Sequence, residues 1–395
     1  MGRTFKWLNL TQFSGALNDN IFRMLMVFYV TSDRIETEPG TALSIVQLLF
    51  VLPFLLFTPL AGKCADRFSK RNLIIGTKVS ELLVISAGCA AFMLDSIFLL
   101  YAVLFLMSAQ SAFFGPSKYG IVPELVEREN LSKANGIIEG FTFFAIVTGM
   151  SAAAFMAGAS DEGFAGISFV CIAIALVGLY FSFKIERTPS GEKSSEGWFV
   201  FVNSVVRTLW SIHRRKNLIF AVFGSAYFMF LAAMIQLLLI PYGMNILGFS
   251  NEHSGFLFLV AAVGIGLGSL LAGKLSGRSV VLKITPPAAA GLALSCGALA
   301  FIASVIPVFI FIFLAGICAG LFIVPVYAFI QLASPRRRRG QVLAASGFLG
   351  WIGVLCFAGI FYFCNSLCGM KPDEIFGLLS ILTFLLSLIA YRLLD

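Results

Sequence analysis

The chain has 395 residues, of which 59% are hydrophobic and only 12% charged, with 28 Lys and Arg against 20 Asp and Glu for a net charge of +8. Its mean hydropathy is +0.93. A soluble domain carries nearer a quarter of its residues charged, so this composition excludes an ordinary soluble enzyme and a nucleic-acid-binding domain, and predicts an all-α polytopic membrane protein.

Apolar stretches of membrane length recur down the chain and read as twelve spans: about 7–31, 41–62, 72–94, 97–119, 132–156, 164–184, 217–246, 253–273, 284–306, 308–333, 341–363 and 373–393. The basic start MGRTFKW resembles the head of a signal peptide, but the polar cluster in the first span and the lack of a small-residue cleavage site predict a retained helix. Lys6 rules out a myristoylation signal at Gly2.

Within that first span, QFSGALNDNIFRMLMVFYV (12–30) carries Asn18, Asp19, Asn20 and Arg23. At 100° per residue Gln12, Asp19 and Arg23 fall within about 40° of one another, Asn20 lies about 80° from Gln12, and Asn18 points elsewhere. Asp19 and Arg23, four apart, can pair. A charge at mid-bilayer costs roughly 2.5–3.5 kcal/mol on insertion scales, so such residues are expected to line a wet path. The competing reading is a paired strut between helices.

After the second span comes GKCADRFSKR (62–71), in which Gly62 permits close helix contact and Asp66 can pair with Arg67 or Arg71 or cap a facing helix. In the third span Lys78 and Glu81 read as a structural pair. Near the inner end of the fourth, Lys118 follows Pro116 beside Tyr119; it either snorkels to the interface or pairs with Glu139 at a similar depth. Asn135 and Glu139 share a face of the fifth span.

Loop 185–216 divides six spans from six, giving expected bundles 1–184 and 217–395. Its first part, ERTPSGEKSSEG, is polar and flexible. Its second places Trp198, Phe199, Val202, Val205, Val206, Leu209 and Ile212 on one stripe with Arg207, Arg214 and Arg215 nearby, an amphipathic helix for the inner leaflet.

Spans seven to twelve hold no Asp, Glu, Lys or Arg in their interiors; Tyr227, Gln236, Tyr327 and Gln331 are their main polar side chains, and Phe is abundant, 42 in the whole chain. Basic residues gather on one side, from Arg3 and Lys6 through Lys63, Arg67 and Lys70 to the run Arg336–Arg339 and Arg392. Arg34 and Lys371 fall on the other side, with the acids Asp33, Glu36, Glu38, Asp161, Glu162 and Glu252. The positive-inside rule then places both termini in the cytoplasm, and the basic charge calls for no nucleic acid.

An internal repeat supports the division. LAGKCADR (60–67) matches LAGKLSGR (271–278) and LSKANG (131–136) matches VLAASG (342–347), both at an offset of 211; Pro116 and Pro325 form a slightly shifted third pair. Two halves in the same membrane sense are the plan of a rocker-type secondary transporter.

At these residues the chain resembles the major facilitator superfamily. GKCADRFSKR is similar to its cytoplasmic signature, with Gly62, Asp66, Arg67 and Arg71 in gating positions; Gly277 replaces the acid in the second half. SGALNDNIFR (14–23) and FFGPSKYGIVPELVERENLSKANGIIE (113–139) resemble the lysophospholipid transporter branch. That resemblance implies movement of lysophospholipid, such as lysophosphatidylethanolamine or lysophosphatidylglycerol, from the outer to the inner leaflet of the bacterial cytoplasmic membrane. Re-acylation there implies an acyltransferase or acyl-ACP synthetase partner. The sequence ends at Asp395 just past the twelfth span, so no acyltransferase domain is expected on it. The seventh span lacks the base that some relatives carry.

The expected substrate site therefore comprises Gln12, Asp19, Asn20, Arg23, Lys118, Tyr119, Asn135, Glu139 and Gln236. A zwitterionic headgroup would set its amine near Asp19 and its phosphate near Arg23 or Lys118. The alternative on the same fold is a proton-coupled exporter of hydrophobic drugs or metabolites, with Asp19 or Glu139 carrying the proton; a membrane scaffold that transports nothing would leave the charged residues idle.

Other signals point away from chemistry. GIGLGSLLAG (264–273) follows no strand and reads as tight helix packing, not a nucleotide loop. The eight cysteines lie mostly within spans, Cys364 and Cys368 are expected to be free, and no Cys/His cluster has metal spacing. The two histidines, His213 and His253, form no acyltransferase motif, so no enzyme and no cofactor are expected.

Overall fold

The computed structural model describes residues 2–31, 39–159, 163–189, 202–276 and 280–394. Among these residues the chain forms helices and no strand: α1 (Arg3–Val30), α2 (Pro39–Arg67), α3 (Lys70–Met93), α4 (Ile97–Leu125), α5 (Leu131–Ala159), α6 (Gly163–Phe183), α7 (Val202–Ile212), α8 (Lys216–Asn245), α9 (Asn251–Leu275), α10 (Thr285–Leu299), α11 (Val305–Ala333), α12 (Arg339–Tyr362) and α13 (Pro372–Leu394). Several expected features lie outside the described residues: Asp33, Arg34, Glu36, Glu38, Asp161 and Glu162, the linker stretch with Lys193, Trp198 and Phe199, and the second-half signature residues Gly277 and Arg278.

Among the described residues, eleven helical segments are long and apolar enough to cross a membrane. The chain is thus a multi-pass membrane protein. Helix α1 is long enough, at 28 residues, but its Asn, Asp and Arg side chains keep it out of the eleven. In hydrocarbon every backbone polar group must be satisfied within the segment, which is why lipid-length apolar runs become helices. Helices α2, α4, α8 and α11 also hold internal prolines, which packed neighbours make tolerable.

One boundary departs from expectation. The ninth span was expected to run to 306, yet α10 stops at Leu299 and α11 starts at Val305. No Gly or Pro marks this break, since residues 300–304 read AFIAS. The marker is tertiary: the buried Tyr242 hydroxyl of α8 faces the Leu299 and Ile302 carbonyls at 3.0 and 2.5 Å, supplying a donor to the freed helix end.

Backbone packing gathers the chain into two compact units. The first comprises Met1–Val126, Ala145–Thr208 and Pro335–Phe348; the second comprises Glu127–Phe144, Leu209–Ser334 and Leu349–Asp395. The start of α5 therefore groups with later helices, and the start of α12 with earlier ones.

In the first unit Phe22, Leu25, Met26 and Tyr29 of α1 pack on Ile85, Phe92, Leu100, Leu104 and Ile167. Tyr29 makes edge-on contacts with Phe92 and Phe164, and its hydroxyl donates to Asp95 at 2.8 Å. The core of the second unit joins Leu238 and Tyr242 to Leu257, Leu292, Ile312, Phe357 and Phe376.

Glycine-mediated approach decides the second unit's closest pairing, α9 on α11. A Cβ on Gly268 would strike the Ile317 backbone, and one on Gly316 would strike the Ala261 carbonyl. The GIGLGSLLAG stretch is thus a helix-packing surface, as expected. Gly268→Val should lower the melting midpoint of the purified protein, because overpacking costs about 1–3 kcal/mol. Gly224→Ala, whose new Cβ would meet only Phe322 at an ordinary 3.7 Å, should leave it unchanged. Equal midpoints for the two variants in thermal unfolding would contradict this packing.

Candidate functional site

The polar side chains of α1 feed two separate networks in the first unit. Asn18 donates to Glu81 of α3 at 3.1 Å, and Glu81 takes the Lys78 ammonium at 2.5 Å. Lys78 and Glu81 are 1% and 2% exposed, so this pair is sealed. It fits because Gly15 and Gly178 leave room for the lysine, a Cβ at Gly15 colliding with Nζ. The sequence reading of a structural pair holds, and Asn18, expected to point away from the Asp19–Arg23 face, joins this pair instead.

The second network stays partly open. Asp19 accepts from Ser111 of α4 at 2.7 Å, and Ser111 in turn accepts from Gln110 at 2.9 Å. The other Asp19 carboxylate oxygen is buried without a hydrogen-bond partner. Arg23 donates to Asn20 at 3.3 Å and lies 4.9 Å from the Phe50 ring centroid of α2. The expected direct Asp19–Arg23 ion pair is therefore not formed: the acid turns to α4 and the base to Asn20 and an aromatic face. Asp19, Asn20 and Arg23 are half-buried rather than sealed.

Two turns toward the helix start, Gln12 accepts from Lys118 at 3.2 Å and donates to Asn9 at 2.9 Å. Lys118 is buried and lies 4.7 Å from the Tyr119 ring centroid, so it turns inward instead of snorkelling. Seven residues separate Gln12 from Asp19, which sets the Lys118 end of the site about 10 Å from Asp19 along α1.

Asn135 and Glu139 belong to the second unit. Asn135 exchanges two hydrogen bonds with Gln331 of α11, both at 2.8 Å, and both amides are fully buried. Glu139 is buried one turn on. Gln236, expected at the site, is exposed on α8 and is not brought to these residues. The partner that sequence reasoning assigned no role is Gln331.

The signature stretch has a definite geometry. Asp66 accepts from the backbone N–H groups of Gly340 at 2.6 Å and Gln341 at 2.9 Å, so it caps the start of α12. Charge at a helix N-terminus is favoured by the open amides and the helix dipole. Gly62 and Gly340 let the two backbones meet, since a Cβ on either would strike the other segment. Arg71 instead binds the ends of α6, donating to the Ile185 and Phe183 carbonyls at 2.8 and 3.2 Å. Arg67 lies 5.8 Å from the Phe68 ring centroid. In the second unit the repeat partner of Gly62, Gly273, brings α9 against Ser132 and Lys133 of α5. The two copies of LAGK thus each grip the first turn of another helix.

The profile of the Major Facilitator Superfamily matches residues 8–358 and again 230–394. The chain belongs to the major facilitator superfamily. Within the superfamily it falls in the LplT-type branch. It is 30% identical over 327 residues to the "Lysophospholipid transporter LplT" of Klebsiella pneumoniae subsp. pneumoniae, covering 81% of this chain and 78% of that one. It is 28% identical over 334 residues to the Photorhabdus laumondii protein of the same name, covering 83% and 80%. Among solved structures, the human organic anion transporter MFSD10 (TETRAN) superposes with a TM-score of 0.81 at 14% identity, covering all of both chains. FucP in its outward conformation does so at 0.77 and 15%, covering 99% and 98%. At such identities these two bear on the fold alone.

Complete burial gives the sealed pair a structural role, and a test. Glu81→Gln should leave Lys78 buried without its counter-charge and destabilise the protein by about 3–5 kcal/mol. The double substitution Lys78→Met with Glu81→Gln should recover much of that loss. Thermal unfolding decides between this and an idle pair, for which all three proteins would melt alike.

Proposed function

We propose that this chain carries lysophospholipids from the outer to the inner leaflet of the bacterial cytoplasmic membrane by alternating access, without chemistry on the lipid. The names of its relatives support the substrate class. One observation carries the site: the orphaned Asp19 oxygen sits one helical turn from an Arg23 guanidinium that spends a single hydrogen bond on Asn20. An amine and a phosphate joined by an ethylene bridge span about one turn, ~5.4 Å. Arg23 therefore matches the phosphate of lysophosphatidylethanolamine better than Lys118 does, two turns away.

In this reading Asp19 takes the ammonium and Arg23 the phosphate, while Asn20 orients Arg23. Gln12, Lys118 and Tyr119 form a second anionic contact along the route, suited to an intermediate position or to lysophosphatidylglycerol. Asn135 and Glu139 act within the second unit, whose apolar helices suit an acyl chain. Both termini lie in the cytoplasm, and an acyltransferase or acyl-ACP synthetase consumes the delivered lipid.

The moving bodies are the halves 1–184 and 217–395. Asp66 with the start of α12, and Asn135 with Gln331, each join helices from different halves, so both sets of bonds must open in every cycle. Charge-assisted hydrogen bonds are worth about 1.5–3 kcal/mol, so losing the Asp66 pair shifts the balance of access states by roughly tenfold or more.

Proteoliposome uptake of labelled lysophosphatidylethanolamine tests this. Asp19→Asn and Arg23→Gln should each cut uptake at least tenfold, with normal expression and folding; unchanged uptake removes the basis of the site. Asp66→Ala should slow uptake while leaving affinity for the lipid little altered. Running the assay with and without a proton gradient separates the lipid carrier from a proton-coupled exporter, which would move hydrophobic drugs and ignore the lysolipid.

A further inference from the structure

A second charged feature lies apart from the α1 site, in the second unit. An open groove of about 510 Å³ is lined by Arg214, Arg215 and Lys216, with Leu218 and Phe329 among its apolar walls. Arg215 donates to the carbonyl of Ala333, the last residue of α11, at 2.8 Å. Arg214 and Lys216 make no hydrogen bond or ion pair with any described residue. The N-cap of α8 is Arg215, whose side chain cannot accept from the first-turn amides. Three cations and an uncapped helix start therefore line one cavity, with no acid among its described lining residues.

The groove lies at the ends of two helices long and apolar enough to cross a membrane, α8 starting at Lys216 with 30 residues and α11 finishing at Ala333 with 29. Both exceed the roughly 20 residues that cross hydrocarbon, so their ends reach toward the headgroups. Just before the groove, Trp210 is 72% exposed and stacks on His213 with ring centroids 4.8 Å apart. Exposed Trp at a span end is the side chain of the membrane interface. On the same helix face, one turn earlier, Val206 is also exposed.

From this juxtaposition we propose that the groove holds the phosphate of a resident two-chain anionic phospholipid, its acyl chains descending beside Phe329. The lipid binds at the inner interface and is not transported. The inference rests on the membrane-spanning architecture and not on the lysophospholipid reading, so either can fail without the other. A soluble phosphate would satisfy the cations equally well but would leave the apolar wall and Trp210 without a role.

The test uses the full chain. Native mass spectrometry after exchange into detergent with phosphatidylglycerol should show a tightly retained lipid that phosphatidylcholine does not replace. Arg214→Gln with Lys216→Gln, which keeps the Arg215 bond to α11, should bind phosphatidylglycerol roughly thirtyfold more weakly. Removing two charges elsewhere, Arg3→Gln with Lys6→Gln, should not. Phosphatidylglycerol with brominated acyl chains should quench the fluorescence lost in Trp210→Phe more than brominated phosphatidylcholine does. Equal retention by the groove and control variants would overturn the proposal. Displacement of the lipid by millimolar inorganic phosphate, with equal quenching by both brominated lipids, would instead assign a soluble-anion site and overturn it as well.

Discussion

A charge inside a membrane must be answered by another helix, and that constraint organises the first half of this chain. Asn18, Glu81 and Lys78 answer one another's charge and are sealed, with only the Asn18 carbonyl oxygen left unpartnered. Asp19 and Arg23, one turn away on the same helix, are answered only in part, by Ser111 and by Asn20. The sealed triad holds α1 on α3 and the partial one leaves bonding capacity unspent. The same helix thus carries one sealed cluster and one that is only partly satisfied.

Glycine does for the backbone what these pairs do for the side chains. In lipid there is little hydrophobic drive between helices, so close approach and hydrogen bonding carry association. Gly62 lets Asp66 reach the amides of Gly340 and Gln341; Gly273 brings the matching segment of α9 against the first turn of α5. The duplicated LAGK sequence therefore encodes a duplicated contact. Only the first copy adds a carboxylate to it within the described residues, which makes the two contacts unequal in strength.

Much of this was legible in the sequence for physical reasons. Membrane spans announce themselves by length and apolarity, and the 211-residue repeat places Gly62 opposite Gly273 without any coordinates. Capping of a facing helix by Asp66 was one of the sequence readings, beside pairing with Arg67 or Arg71, and the cap is what forms. What escaped was set by partners distant in the chain. Helical-wheel geometry put Asn18 off the polar face, as found, but could not name its partner there, Glu81, 63 residues away. Spacing alone allowed Asp19 to pair with Arg23, but Ser111 competes for the acid. Gln236 and Gln331 are indistinguishable by composition; only packing sets Gln331 against Asn135. The early end of α10 depends on one hydroxyl from α8.

The central claim is that Asp19 and Arg23 together form a headgroup contact. Photo-crosslinking with a lysophosphatidylethanolamine bearing a diazirine beside its headgroup, followed by peptide mapping, tests it most directly. The account predicts adducts concentrated on α1 between Gln12 and Arg23 and on the facing turn of α4 near Ser111, competed away by unlabelled lysolipid. Competable adducts confined to other helices, with α1 unlabelled, would contradict it.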